Sequence, residues 1–238
     1  MLIREPKTFF HVILEKMFLK LESDGVFLKE VCLENYTYVA KAIAQGANRI
    51  ELCDNLASGG TTPSKGVMHE TIDYCAEHTV PVMAIIRPRG GNFIYNDSEL
   101  KIMGYDIIEA RNLGLDGIVV GCLNEESWLD EDAMEQILEE SYGLQVTFHM
   151  AFDAIPVSRQ FEAIDWLIDH DVQRILTHGG SLDLPIETTL PHLKELVDYA
   201  DGRIVILPGG GITNENAQHV IEQLGVNEVH GTQIVGKL

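Results

Sequence analysis

The feature that most limits what this chain can fold into is a repeat of pattern. From about residue 26 onward, short apolar runs alternate with longer stretches whose apolar residues recur every three or four positions. The runs that read as strands are 26–33, 49–53, 81–87, 117–121, 145–150, 174–177, 203–207 and 228–231, eight in all. Helical patterns fill the gaps, among them "NYTYVAKAIAQG", "ELKIMGYDIIEARNLG", "DEDAMEQILEESYG" and "ITNENAQHVIEQLG". Gly often stands just past the end, where a helix C-cap is made. Without the first 25 residues, each strand–helix unit takes roughly 27 residues, and right-handed βα units repeated eight times close into a (β/α)8 TIM-type barrel. A doubly wound open sheet is the alternative. The expected division is an N-terminal helical extension over 1–25 and a single barrel domain over 26–238.

The repeat is irregular at its ends. After the eighth strand only about seven residues follow, so the usual last helix is missing. Residues 5–21 carry Phe9, Phe10, Ile13, Leu14, Met17, Phe18 and Leu21 on one face of an amphipathic helix. That face is expected to cover the barrel wall between the eighth and first strands, or the barrel floor. The alternative is a contact with another subunit, which would make a homo-oligomer.

Composition excludes several roles. A formal charge of −20 argues against nucleic acid and anionic membrane surfaces as partners. No run of about eighteen apolar residues spans a membrane, and the apolar N-terminal stretch is broken by His11, Glu15, Lys16 and Lys20. The cysteines Cys32, Cys53, Cys75 and Cys122 form no C-x-x-C and are too few for a disulfide scaffold, so a reducing cytoplasm is the expected compartment.

In a (β/α)8 barrel the chemistry sits at the carboxyl ends of the strands. A strand's period of two assigns faces there. Phe27, Val31 and Leu33 point to the helices, so Glu30 and Cys32 point into the barrel. Ile50 and Leu52 point out, leaving Glu51 and Cys53 inside. Val146, Phe148 and Met150 point out, leaving Thr147 and His149 inside. Neighbouring strands lie about 4.8 Å apart, so two inward thiols are close enough to share a soft ion such as Cu(I). Cys75 and Cys122 read as small buried hydrophobes. Glu30 and Glu51 cannot stay charged inside without partners, and Arg87 and Arg89 are the expected ones. That set is either a structural ion-pair plug or a working site. His149 and Asp153 read as an acid–base or ligand pair, or as a satisfied structural histidine and its neighbour.

The run "ILPGGGITNEN" places Gly209, Gly210 and Gly211 before an expected N-cap at Thr213 or Asn214, a candidate phosphate site. His178, in "THGGS", lies near the mouth as a further ligand or a solvent-facing side chain. No inward lysine offers a Schiff base, Lys29 having the outward parity. There is no G-x-S-x-G and no G-x-x-x-x-G-K-[ST].

"EVC", "GANRIELCDNLASGGTTPS", "IIRPRGGNFIYND", "VTFHMAFD" and "IVILPGGGIT" together resemble the CutC family, the copper homeostasis proteins, over about residues 27–231. The resemblance implies a cytoplasmic TIM-type barrel. It also implies that Cys32 and Cys53, the cysteines of the two E-x-C segments, are the Cu(I) ligands, and that Glu30, Glu51, Arg87, Arg89, His149 and Asp153 form the shared barrel mouth. The chain differs from typical members in its N-terminal extension, its short C-terminus and the "THGGS" run. Two functions follow as expectations. One is a cytosolic protein that binds copper through Cys32 and Cys53. The other is an enzyme acting on a small anionic metabolite: Arg87 and Arg89 clamp it, Gly209–Gly211 take a phosphate, and Glu51, His149 or Asp153 move protons.

Overall fold

The computed structural model of the protein describes residues 27–238; the helix expected over residues 5–21 lies outside them. The strands are β1 (Leu28–Glu34), β2 (Arg49–Cys53), β3 (Val82–Ile85), β4 (Gly117–Val120), β5 (Gln145–Phe148), β6 (Arg174–Thr177), β7 (Val205–Pro208) and β8 (Glu228–Gly231). The helices between them are α1 (Val39–Ala44), α2 (Lys65–Glu77), α3 (Asp97–Leu113), α4 (Glu131–Glu140), α5 (Gln160–Asp169), α6 (Ile186–Ala200) and α7 (Ala217–Leu224).

All ladders are parallel and follow chain order from β1 to β7, with β8 pairing back onto β1. β7 and β8 lie side by side without a ladder, and a bridge between Thr213 and Gln233 ties the segments that follow them. The result is a nearly closed (β/α)8 barrel.

Local signals explain where the elements stop. α3 opens with a capping box, in which the Asn96 side chain accepts from the Ser98 and Glu99 amides while Glu99 accepts from the Asn96 amide. It closes on Gly114 in the left-handed region. Five strands differ from their expected limits, and three of the differences have clear local causes. β3 ends before Arg87-Pro88, where proline cannot donate to a ladder. β5 ends at Phe148 because His149 caps a 3₁₀ turn over Met150–Ala154. β7 starts at Val205, since Arg203 is held at the barrel floor by Asp165 and the Tyr199 carbonyl.

Side-chain parity splits the core in two. Val31, Leu33, Ile50, Leu52, Ala84, Ile118, Phe148 and Ile175 pack outward against the helices. Cys32, Cys53, Met83, Ile85 and Val119 form a separate apolar cluster inside the barrel. The rest of the interior combines Leu28, Leu176 and Leu207 with buried charged and polar side chains.

Candidate metal centre in the barrel mouth

The register of β1 builds the site. Glu30 lies opposite Arg49 of β2 and His230 of β8, and Cys32 lies opposite Glu51. Because all of these have inward parity, the lower interior holds three acidic side chains (Glu30, Glu51, Glu228) and three basic ones (Arg49, Arg174, His230), none more than 6% exposed. Isolated charges at that depth are very costly, so the network depends on ion pairs and, for Arg174, on neutral hydrogen-bond acceptors. The Arg49 guanidinium bonds Glu30 through Nε and Glu228 through Nη2, the latter at 2.7 Å. Arg174 donates to the Thr147 hydroxyl at 3.1 Å and to the Gln145 side chain. His230 Nδ1 lies 2.8 Å from a Glu30 oxygen, and its Nε2 lies 3.5 Å from Glu51 Oε2.

Burial alone would raise the Glu30 carboxyl, but Arg49 and His230 overcome it and hold it well below the usual carboxylate range. Burial lowers the His230 imidazolium, yet Glu51, Cys32 and Glu30 together push it well above 6.5. Burial raises the Glu51 carboxyl, with His230 opposing and Glu30 adding to the rise. Arg174, buried beside Arg49, is lowered to about 10.

Immediately above, Cys32 Sγ and Cys53 Sγ lie 3.7 Å apart. The contact with Cys53, then burial, raise the Cys32 thiol well above 9. Contact with Cys32 lowers Cys53, but burial and Glu51 outweigh it and leave this thiol at about 11. Cys32, Glu51 and His230 each present a donor atom, and these three atoms all lie within 4.8 Å of one another. Cys32 also forms part of the floor of an open cleft of about 590 Å³ lined by Glu34, Tyr38, Leu56 and Thr232. The donor chemistry, two thiols with an imidazole and a carboxylate beside them, fits a soft or borderline metal ion.

The arginines do not meet the glutamates expected for them. Arg87 Nη1 donates to the carbonyls of Ser58 (3.2 Å), Gly59 (2.9 Å) and Gly60 (3.2 Å), and Nη2 donates to Gly91 (2.6 Å). Arg87 thereby ties the loop after β2 down over Cys53: a Cβ on Gly60 would lie 3.5 Å from that sulfur. Gly59 has φ +83°, and a Cβ there would lie 2.9 Å from Arg87 Nη1, so the close approach needs glycine. Arg89 binds Glu99 at 2.6 Å together with the carbonyls of Gly90, Asn92 and Ile94. Loop backbone outcompetes the buried carboxylates for both guanidinium groups, and Arg49 serves the carboxylates instead.

His149 and Asp153 form no pair. His149 Nδ1 accepts from the Ala151 amide, while Nε2 is buried without a partner. Burial and then Arg87 depress its imidazolium to about 3, so the ring is neutral. Asp153 caps the turn after β6, accepting from the Thr177 hydroxyl and the amides of His178, Gly179 and Gly180. His178 is buried, not solvent-facing, and its ring nitrogens face the carbonyls of Gly209, Gly210 and Leu184. The Gly209 amide is spent on the Thr177 carbonyl, and the Gly211 carbonyl accepts from Asn216. Asn216, and neither Thr213 nor Asn214, precedes α7, because its side chain ties the Thr213 amide back to the turn. Cys75 and Cys122 are 1% exposed and lie in the outer core.

Arg49, Arg174 and Glu228 were not anticipated as site residues, and His230, read at the carboxyl end of β8, was given no role. Parity was the signal available for them: Arg49 stands two before Glu51, and Glu228 and His230 alternate on β8.

The comparisons agree with this fold. The CutC family model matches residues 27–235. The chain is 64% identical over 208 residues to a family protein CutC of Enterococcus faecalis, which covers 87% of this chain and 100% of that one. It is 41% identical over 204 residues to the human copper homeostasis protein cutC homolog, covering 86% and 72% respectively. A solved CutC structure from Streptococcus agalactiae superposes with a TM-score of 0.86 at 47% identity, covering 88% of this chain and 100% of that one. A barrel of this register, with E-x-C on both β1 and β2 and a match along nearly all of the described residues, belongs to the CutC family.

Proposed function

We propose that the protein is a cytosolic copper homeostasis protein that binds Cu(I) between Cys32 and Cys53. The carrying observation is the pair of sulfur atoms 3.7 Å apart on adjacent strands, within reach of the cleft over Cys32. A hydrogen-bonded network of acids and bases beneath them lets two soft donors sit in an interior that would otherwise be filled with apolar side chains. Cys32 is reached from the cleft, whereas Cys53 lies under the loop that Arg87 holds, so uptake proceeds from the Cys32 side. Titration with Cu(I) against a competing chelator tests the reading. Cys32→Ser and Cys53→Ser each weaken binding, and the double variant abolishes it. Full affinity in the double variant refutes the site.

A second reading, catalysis on a small anionic metabolite, is favoured by one observation at the β3–β5 side of the mouth. Among the described residues, His149 Nε2, Arg87 Nε and Tyr95 Oη are all buried without partners, and buried polar atoms are seldom left so. Mass spectrometry of the natively purified protein tests it: a bound anion lost on His149→Gln supports catalysis on such a molecule, and a protein free of small molecules counts against it.

A further inference from the structure

We infer that Cys32, Glu51 and His230 form a mixed sulfur, oxygen and nitrogen site for a borderline divalent ion such as Zn²⁺, with Cys53 beside it and Glu30 orienting His230 from behind. The inference rests on the reading of this corner as a metal centre and changes which ions it accepts.

Two separations at this corner match tetrahedral edges. Zinc bonds of about 2.3 Å to sulfur set a sulfur–sulfur edge of roughly 3.8 Å, and the Cys32–Cys53 separation is 3.7 Å. Bonds of about 2.0–2.2 Å to nitrogen and oxygen set a nitrogen–oxygen edge of roughly 3.3–3.5 Å, and His230 Nε2 lies 3.5 Å from Glu51 Oε2. The three donor atoms of Cys32, Glu51 and His230 fall within 4.8 Å of one another, so a small contraction closes the site.

The surroundings of His230 add a separate argument. A carboxylate can only accept, so Nδ1 donates its proton to Glu30 at 2.8 Å. That leaves Nε2 aimed at Glu51, where it ligates once the metal displaces its proton. A carboxylate behind a ligating imidazole fixes its tautomer and orientation and raises its basicity. Glu30 is itself held by Arg49, which also binds Glu228, so the orientation is relayed through three strands. A linear two-thiol Cu(I) site would need none of these partners. The cleft against Cys32 supplies an entry path.

The test loads the full-length protein with Zn²⁺, and separately with Co²⁺ as an optical probe. X-ray absorption of the zinc-loaded wild type is expected to show one imidazole and one or two sulfurs. Glu30→Gln is expected to weaken Zn²⁺ about 10–100-fold with the same shell. His230→Asn is expected to lose more than that and the imidazole signal with it, the melt of each metal-free variant showing that it folds. Cys53→Ser is expected to keep the cobalt–thiolate band while weakening Cu(I). No uptake of either ion by the wild type, or a shell without imidazole, overturns the inference and leaves the Cu(I) pair to stand on its own titration. Zinc bound in the expected shell by a protein that takes no Cu(I) removes the copper reading and keeps this one.

Discussion

Replacing Arg49 with methionine tests whether the charge network is what allows this barrel to keep a polar interior. The guanidinium is 3% exposed and touches both Glu30 and Glu228. Methionine fills similar space but leaves Glu228 without its guanidinium and Glu30 with His230 alone. Breaking a buried ion pair from one side costs about 3–5 kcal/mol. In a chain of this size each kcal/mol moves the melting temperature by about 2–4 °C, so the drop at pH 7 is about 6–20 °C. The pH dependence carries a sign. In the wild type the Glu30 carboxyl lies below its ordinary value, so its stabilisation is present above that value and is lost only as pH falls through the lower folded one. Between pH 7 and 5 it is therefore constant. In Arg49→Met burial is no longer opposed by the guanidinium, the folded carboxyl moves up, and protonation stabilises the variant. The gap between the two proteins narrows from pH 7 to pH 5. Thermal melts at both pH values read this directly. A loss below about 1 kcal/mol, the range of an exposed pair, or a gap that widens toward pH 5, refutes the reasoning.

Three further outcomes follow from other parts of the mouth. His149 is neutral when folded and titrates near 3, so protonation of the unfolded chain costs the wild type up to about 1.4 kcal/mol per pH unit below its ordinary 6.5; His149→Gln lacks this contribution, and its melts flatten between pH 6.5 and 4.5 relative to wild type. Arg87→Lys cannot reach four carbonyls at once, so the loop over Cys53 loosens and alkylation of that thiol speeds up while Cys75 is unchanged, as peptide mapping would read. Gly121→Ala places a Cβ 2.7 Å from the His149 ring, and the forced shift lowers stability by about 1–3 kcal/mol in urea titration.

The period of two along β1, β2 and β5 was enough to orient Glu30, Cys32, Glu51, Cys53 and Thr147, because a strand buried on both faces keeps its alternation whatever surrounds it. The same rule applies to Arg49 and Glu228, and attention to the carboxyl ends alone passed over them. Which acid meets which base was not legible, since that depends on register between strands up to 200 residues apart, as for Glu30 and His230. Arg87 and Arg89 lie beyond the end of β3, where no periodicity fixes direction. Their partners are mostly main-chain carbonyls, which any loop sequence supplies equally, so opposite charge in the sequence pointed to the wrong contacts. His178 and Asp153 were misread for the same reason: both serve loop backbone.

Copper absorption spectroscopy on the Cu(I)-loaded wild-type protein tests the copper assignment most directly. The account predicts one ion per chain with both near neighbours sulfur from positions 32 and 53, and the signal disappears in the double serine variant. An ion ringed only by nitrogen and oxygen, or a sulfur shell that survives the double substitution, contradicts it.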